Sequence, residues 1–347
     1  MKLYPLLWIP VALAACGEAQ RPVSLTVWHG TEQRVGHLGD AQDDFNLMGV
    51  ASGNEFTYSL NGSDPVPFTV AFEPFGFRRL GAAGHFNLDI AVADLREGPN
   101  EIEIQATSGQ GAATARATVT RELEGGYPLP ATVRWSEVED LQSVGQMVDG
   151  KWEITDGGLR SREPLYDRLF LIGNRAWHDY EIATTVTVHT VPDENAPMSG
   201  GSGVGFIFRF AGHSVEPPRF PEAQPKWGYQ PFGAITWLRW SKSDPGLAPV
   251  RQFYRGDRDE SKDAGPLASF QAGETYGMRA SCQTSPEDPT TTLYRLRVWP
   301  ASATEPDGWD YQIEQTSDAA LRSGGVALVA HHVDVTFGDV SVRATAD

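Results

Sequence analysis

Cysteine is almost missing from this chain: there are two in 347 residues. Two thiols cannot build a disulfide framework, so stability must come from a packed core. Positive charge is also short, with 28 Lys and Arg against 45 Asp and Glu and a formal charge of −17. No Lys/Arg cluster occurs, which excludes a nucleic-acid-binding face, because phosphate contacts need one. Apolar residues at i, i+3, i+4, i+7 are nowhere sustained over three turns, which argues against a helical domain. The longest apolar run, Leu3 to Leu13, falls short of the roughly 20 residues a membrane-spanning helix needs.

What is present points elsewhere. Ten Trp, with aromatics at 10% of the chain, supply the apolar mass of a globular core. Gly (36) and Pro (24) together exceed the usual share and mark a turn-rich fold. The N-terminus has one basic residue, Lys2, then the apolar run, then Leu13-Ala14-Ala15-Cys16, as in a secretory signal. Leu-Ala-Ala-Cys resembles the lipobox of bacterial lipoproteins. That resemblance implies a signal peptide at 1–15, lipidation of Cys16 and a lipid-anchored linker at 16–20. Gly17, in place of Asp after the Cys, implies outer-membrane sorting. Cys282 is then a lone thiol.

From residue 21 onward, period-two alternation recurs, and the expected class is all-β. Phe56, Tyr58 and Leu60 lead into Asn61-Gly62, a tight-hairpin dipeptide. Phe86, Leu88 and Ile90 alternate, as do Ile102, Ile104 and Ala106, and then Ala115, Ala117 and Val119. Residues 21–122 therefore read as a disulfide-free sandwich of six or seven strands, and they resemble bacterial Ig-like modules. "LEGGYPLP" (123–130) reads as a short, stiff boundary. Longer strands fill 131–347, including "YEIATTVTVHT", "GVGFIFRF", "AITWLRW" and "LYRLRVW"; they fit a two-sheet jelly roll.

The order of "DGKWEITDGGLRS", "WHDYEIATTVTV", "GVGFIFRF", "YRLRVWPASATEPDGWD" and "GGVALVAHHVDVTFGDVSV" resembles the concanavalin A-like lectin/glucanase group. More narrowly, it resembles the laminin-G-like, glycoside hydrolase family 16-like branch, over about residues 130 to 345. That implies a larger concanavalin A-like jelly roll whose partner is a glycan or another surface polymer. A structural calcium ion is also implied, with Asp339 in the final strand as one ligand. A retaining glucanase of that group needs two carboxylates about 5–5.5 Å apart. Its Glu-x-Asp-x-x-Glu strand motif is absent. The acidic clusters Glu137/Glu139/Asp140, Asp257/Asp259/Glu260/Asp263 and Glu305/Asp307/Asp310 lack the spacing, so a non-catalytic module is favoured over a glycoside hydrolase or lyase. A structural or protein-interaction lipoprotein is the third reading.

Sugars present apolar C–H faces to aromatic rings, while Arg and Asp satisfy their hydroxyls. Trp227, Tyr229, Trp237, Arg239 and Tyr254 are the expected ligand-binding residues. Alternation in "AITWLRW" puts Trp237 and Arg239 on one face, expected to be the exposed concave one. Alternation in "GVGFIFRF" adds Arg209 there and sends Val204, Phe206, Phe208 and Phe210 to the other face. Adjacent His331 and His332 are expected on opposite faces.

Overall fold

A computed structural model describes residues 22–71, 79–192, 201–215, 224–256, 261–319 and 321–345. Cys16 with its lipidation, Glu222 and most of the acidic cluster at 257–260 lie outside the described residues. The chain is all-β: among the described residues, the helical segments are three single turns of 3-10 helix.

Strands between residues 24 and 121 form one sandwich. Ser24–Val27, Asp44–Ser52 and His85–Ala91 make a three-stranded sheet, and Glu32–Val35, Gly111–Arg121, Gly98–Ser108, Glu55–Leu60 and Val66–Pro67 make a five-stranded one. Period two sends Ile102, Ile104 and Ala106 inward, fully buried against Leu47, Leu88 and Val119. Each such aliphatic side chain contributes about 1.5–3 kcal/mol. Asn61 and Gly62 both take positive φ (53° and 76°), as a tight two-residue turn requires.

Strands from residue 131 onward form two larger sheets. The seven-stranded sheet runs Gln146–Asp149, Arg168–Ile172, Gly325–His331, Gly203–Phe210, Ala234–Arg239, Val250–Arg255, Ser261–Pro266, antiparallel throughout. The nine-stranded sheet has Tyr180–Thr190 at its centre, flanked on one side by Thr275–Thr284 and Thr291–Pro300. On its other side lie Asp334–Phe337 and Val340–Ala344, two halves of one broken strand. Trp135 pins the break. Its indole N–H donates to the Gly338 carbonyl (2.7 Å), and its backbone N–H donates to Asp339 Oδ1 (3.1 Å). Phe170, Phe206, Phe208, Leu238, Met278, Leu296 and Leu328 fill the space between the sheets.

The two units are joined by more than the connecting segment. Tyr127 and Leu129 pack on the larger core, and Trp177 donates to the Tyr127 carbonyl (2.5 Å). A buried polar network crosses the junction. Arg79 holds Asp89 with two nitrogens (2.7 and 2.9 Å) and Asp149 with a third (2.8 Å). Lys226 reaches back to Asp44 (2.7 Å), and Asn87 donates to Asp149 (2.9 Å). Burial raises the Asp149 carboxyl to about 7 against the pull of Arg79; Arg79's two remaining nitrogens already satisfy Asp89.

Candidate functional site

The seven-stranded sheet has one face in the core and one turned away from it. On that outer face, strand pairing lines up three rows. The first is Leu171, Ala327, Ile207, Ile235, Tyr254; the second is Leu169, Val329, Gly205, Trp237, Gln252, Asp263; the third is His331, Gly203, Arg239, Val250. The first row is apolar and sealed, with Leu171, Ile207 and Ala327 fully buried. The second and third carry the chemistry.

One glycine makes room for a ring, and a second for the strand that carries it. A Cβ on Gly203 would stand 2.7 Å from the Trp237 indole, and one on Gly205 would stand 2.3 Å from the Thr236 carbonyl. The indole therefore lies on bare backbone. Its N–H donates to Gln252 Oε1 (2.9 Å), whose amide donates to Asp263 (2.8 Å). The Arg239 guanidinium covers the ring, 4.5 Å from its centroid. No carboxylate among the described residues pairs with Arg239, and its Nη1 is buried without a hydrogen-bond partner. Burial lowers its pKa to about 10.

Beside Trp237 stands a buried acid–imidazole pair. Asp167 precedes the strand Arg168–Ile172 with φ at +32°, a conformation that Asp tolerates better than most residues. Its Oδ1 meets His331 Nδ1 at 2.5 Å, and its Oδ2 accepts the Tyr229 phenol. Burial alone would raise this carboxyl, but His331 and the Tyr229 hydroxyl hold it well below the usual range, so it stays ionised. Burial pushes His331 down, against the pull of Asp167. At neutral pH the ring is therefore uncharged, donates Nδ1–H to Asp167 and carries its lone pair on Nε2. Burial, then Asp167, drives the Tyr229 phenol well above its ordinary value.

The expected ligand-binding residues do not all meet here. Trp237, Arg239 and Tyr254 stand on the outer face as alternation predicts, but Trp237 is only 6% exposed. Tyr229 joins them from the loop before the strand Ala234–Arg239, packed on His213 (ring centroids 4.7 Å apart). Trp227 is half-buried in the same loop. Arg209 is a correction. A bulge between Phe208 and Phe210 puts Arg209 at φ +55° and reverses the alternation. Phe210 turns to the outer face with Ile207, and Arg209 turns away, fully buried, bonding Asp179 and Thr284 at 3.0 Å each.

His331 and His332 do not oppose each other either. The strand ends at His331, and His332 takes φ +52°, so the two rings lie 4.4 Å apart beside Tyr166. Asp339 lies in the kink between Phe337 and Val340. It is exposed, one oxygen holds the Trp135 amide, and no group of three or more acids, His or Cys that could bind a metal occurs among the described residues. Sequence reasoning missed Asp167 and His331 as partners because they meet across 164 residues. The readable signal was the pair Gly203/Gly205, small residues opposite a Trp.

No family model matches the chain, and no curated protein matches it. Among solved structures, the Ca2+-bound exoplasmic/lumenal domain of VIP36 is 12% identical, covering 57% of this chain and 83% of its own, with a TM-score of 0.37. Alginate lyase Aly36B is also 12% identical, covering 62% and 97%, with a TM-score of 0.37. Carbohydrate-binding modules of the beta-sandwich superfamily are 11% identical, covering 93% and 95%, with a TM-score of 0.18. Likeness at this level carries no function; the fold assignment rests on the strands themselves.

Proposed function

We propose that the outer face of the seven-stranded sheet binds an acidic glycan, with a uronate carboxylate or sulfate set against Arg239. The observation that carries this reading is a largely buried guanidinium, laid on Trp237, with no carboxylate paired to it among the described residues. An unpaired buried cation is costly, and an anionic ligand supplies what it lacks. Gln252, opposite Trp237, and Tyr254, opposite Ile235, line the same face as hydroxyl partners. The signal and lipobox residues support a chain exported and anchored through Cys16, with the outer membrane as its site and the Ig-like reading of the N-terminal sandwich kept. Electrophoresis of the full chain in gels containing polygalacturonate or alginate tests binding. Retardation that disappears with Arg239→Gln is expected, and equal retardation of the variant overturns the reading. Loss of palmitate labelling in Cys16→Ala tests the anchor.

The Asp167–His331 pair favours one second reading, β-elimination on the same polymer. His331 Nε2 would take the proton beside the uronate carboxylate while Arg239 offsets the charge that develops. The C4–O bond breaks as a C4–C5 double bond forms, and the departing oxygen takes its proton from water. Ultraviolet absorbance of the unsaturated ends decides it: none with a bound polyuronate leaves binding alone. Hydrolysis finds less support, since Asp263 is the sole carboxylate in the three rows and it sits exposed at the edge.

A further inference from the structure

The nine-stranded sheet also has an outer face, and it holds a cleft of about 1060 Å³ that none of the residues discussed above as a glycan site touches. Its floor consists of small residues on neighbouring strands: Ala183 and Thr185 on Tyr180–Thr190, and Gly277 on Thr275–Thr284. Pairing sets Gly277 directly opposite Trp299. A Cβ on Gly277 would fall 2.2 Å from the indole, so the ring lies down across the glycine and forms one side of the cleft. The opposite side is the hairpin turn at Asp156 and the kink at Asp339, both exposed.

Charge sets the ligand class. Arg279 is the cation that lines the cleft, and it is already spent: Glu305 takes two of its nitrogens (2.6 and 2.9 Å) and Glu181 takes the third (2.5 Å). Asp156 and Asp339 carry no such counter-charge in the cleft and remain as acceptors. Arg343 shares Glu181 and Arg297 shares Glu305, Arg297 lying 5.9 Å from the Trp299 centroid, so with Asp156 and Asp339 the acids exceed the bases by one among these residues. A polyanion finds no free cation among them, while hydroxyls of an uncharged sugar find carboxylates, Thr185 and Ser341 on either side of a ring. We infer that this cleft binds a neutral polysaccharide of equatorially substituted pyranoses, which offer an unbroken C–H face to Trp299 and donate hydroxyls to Asp156 and Asp339. The molecule then carries two glycan sites of opposite charge preference, one on each outer face of the jelly roll.

Electrophoresis of the full chain in gels containing barley β-glucan or xylan tests this. At least one neutral polymer should retard the wild type, Trp299→Ala should weaken that retardation roughly tenfold, and Trp299→Phe should restore part of it. Thr185→Gln, which fills the floor from an exposed position, gives the same loss should Trp299→Ala disturb folding, as judged by thermal unfolding. Arg239→Gln should leave neutral retardation unchanged, and polygalacturonate mobility reports the other face separately. No retardation by any neutral polymer, or unaltered retardation of both cleft variants, overturns the inference.

Discussion

The two outer faces of the jelly roll solve the same placement problem in opposite ways. Each lays a Trp flat over glycine on an adjacent strand, Trp237 over Gly203 and Trp299 over Gly277. The first ring is then capped by Arg239 and walled by His331, and the sheet beneath it is sealed. The second ring lines an open cleft whose cation is neutralised. Flat aromatic placement is thus a property of sheet register, whereas ligand chemistry comes from whether the neighbouring guanidinium has a partner.

The largest contrast should be between two acids. Asp167→Asn turns a buried carboxylate that accepts from both His331 and Tyr229 into an amide that can accept on one side only, and chemical denaturation should show a loss of about 3 kcal/mol. Asp339→Asn weakens one partly buried hydrogen bond to Trp135, which the amide oxygen can still accept, and should stay within about 1 kcal/mol. Similar losses would mean the first face is no more tightly built than the second.

The glycines come next. Alanine at Gly205 meets backbone, the Thr236 carbonyl at 2.3 Å and Trp237 Cα at 2.6 Å, so two strands must part. A cost of about 1–3 kcal/mol and a fall in polyuronate retardation are expected. Alanine at Gly277 meets only the indole, which can lift. Stability should drop less than about 1 kcal/mol, while neutral-polymer binding falls. Unfolding curves and gel mobility together read both.

The smallest contrast is one of sign. Arg279→Gln breaks pairs with Glu181 and Glu305 at a partly exposed site and should cost up to about 1 kcal/mol. Arg239→Gln relieves an unpaired buried charge and should raise the melting temperature, by about 1 kcal/mol of stability. A fall for Arg239→Gln would show that its charge is compensated in the free protein.

Much of this was legible in the sequence, and what was not has a physical cause. Alternation sent Ile102 inward and put Trp237 and Arg239 on one face, though Trp237 is buried there and not exposed as expected, because period two survives as long as pairing is regular. It misplaced Arg209 because a single left-handed residue shifts parity for everything after it, and no residue type there announces the bulge. It separated His331 from His332 on the assumption that the strand continued, whereas His332 leaves it. Asp167 was invisible because its meaning lies in contacts with residues 62 and 164 positions away.

The junction between the sandwich and the jelly roll was read as a stiff connector, but the connector is the lesser tie. Arg79, Asp89, Asp149 and Lys226 could be pulled apart only by exposing like and unlike charges in an interface still closed to water. Such a joint yields all at once or not at all. A force applied to either unit would therefore reach the other through these buried pairs, with no slack segment between them to absorb it.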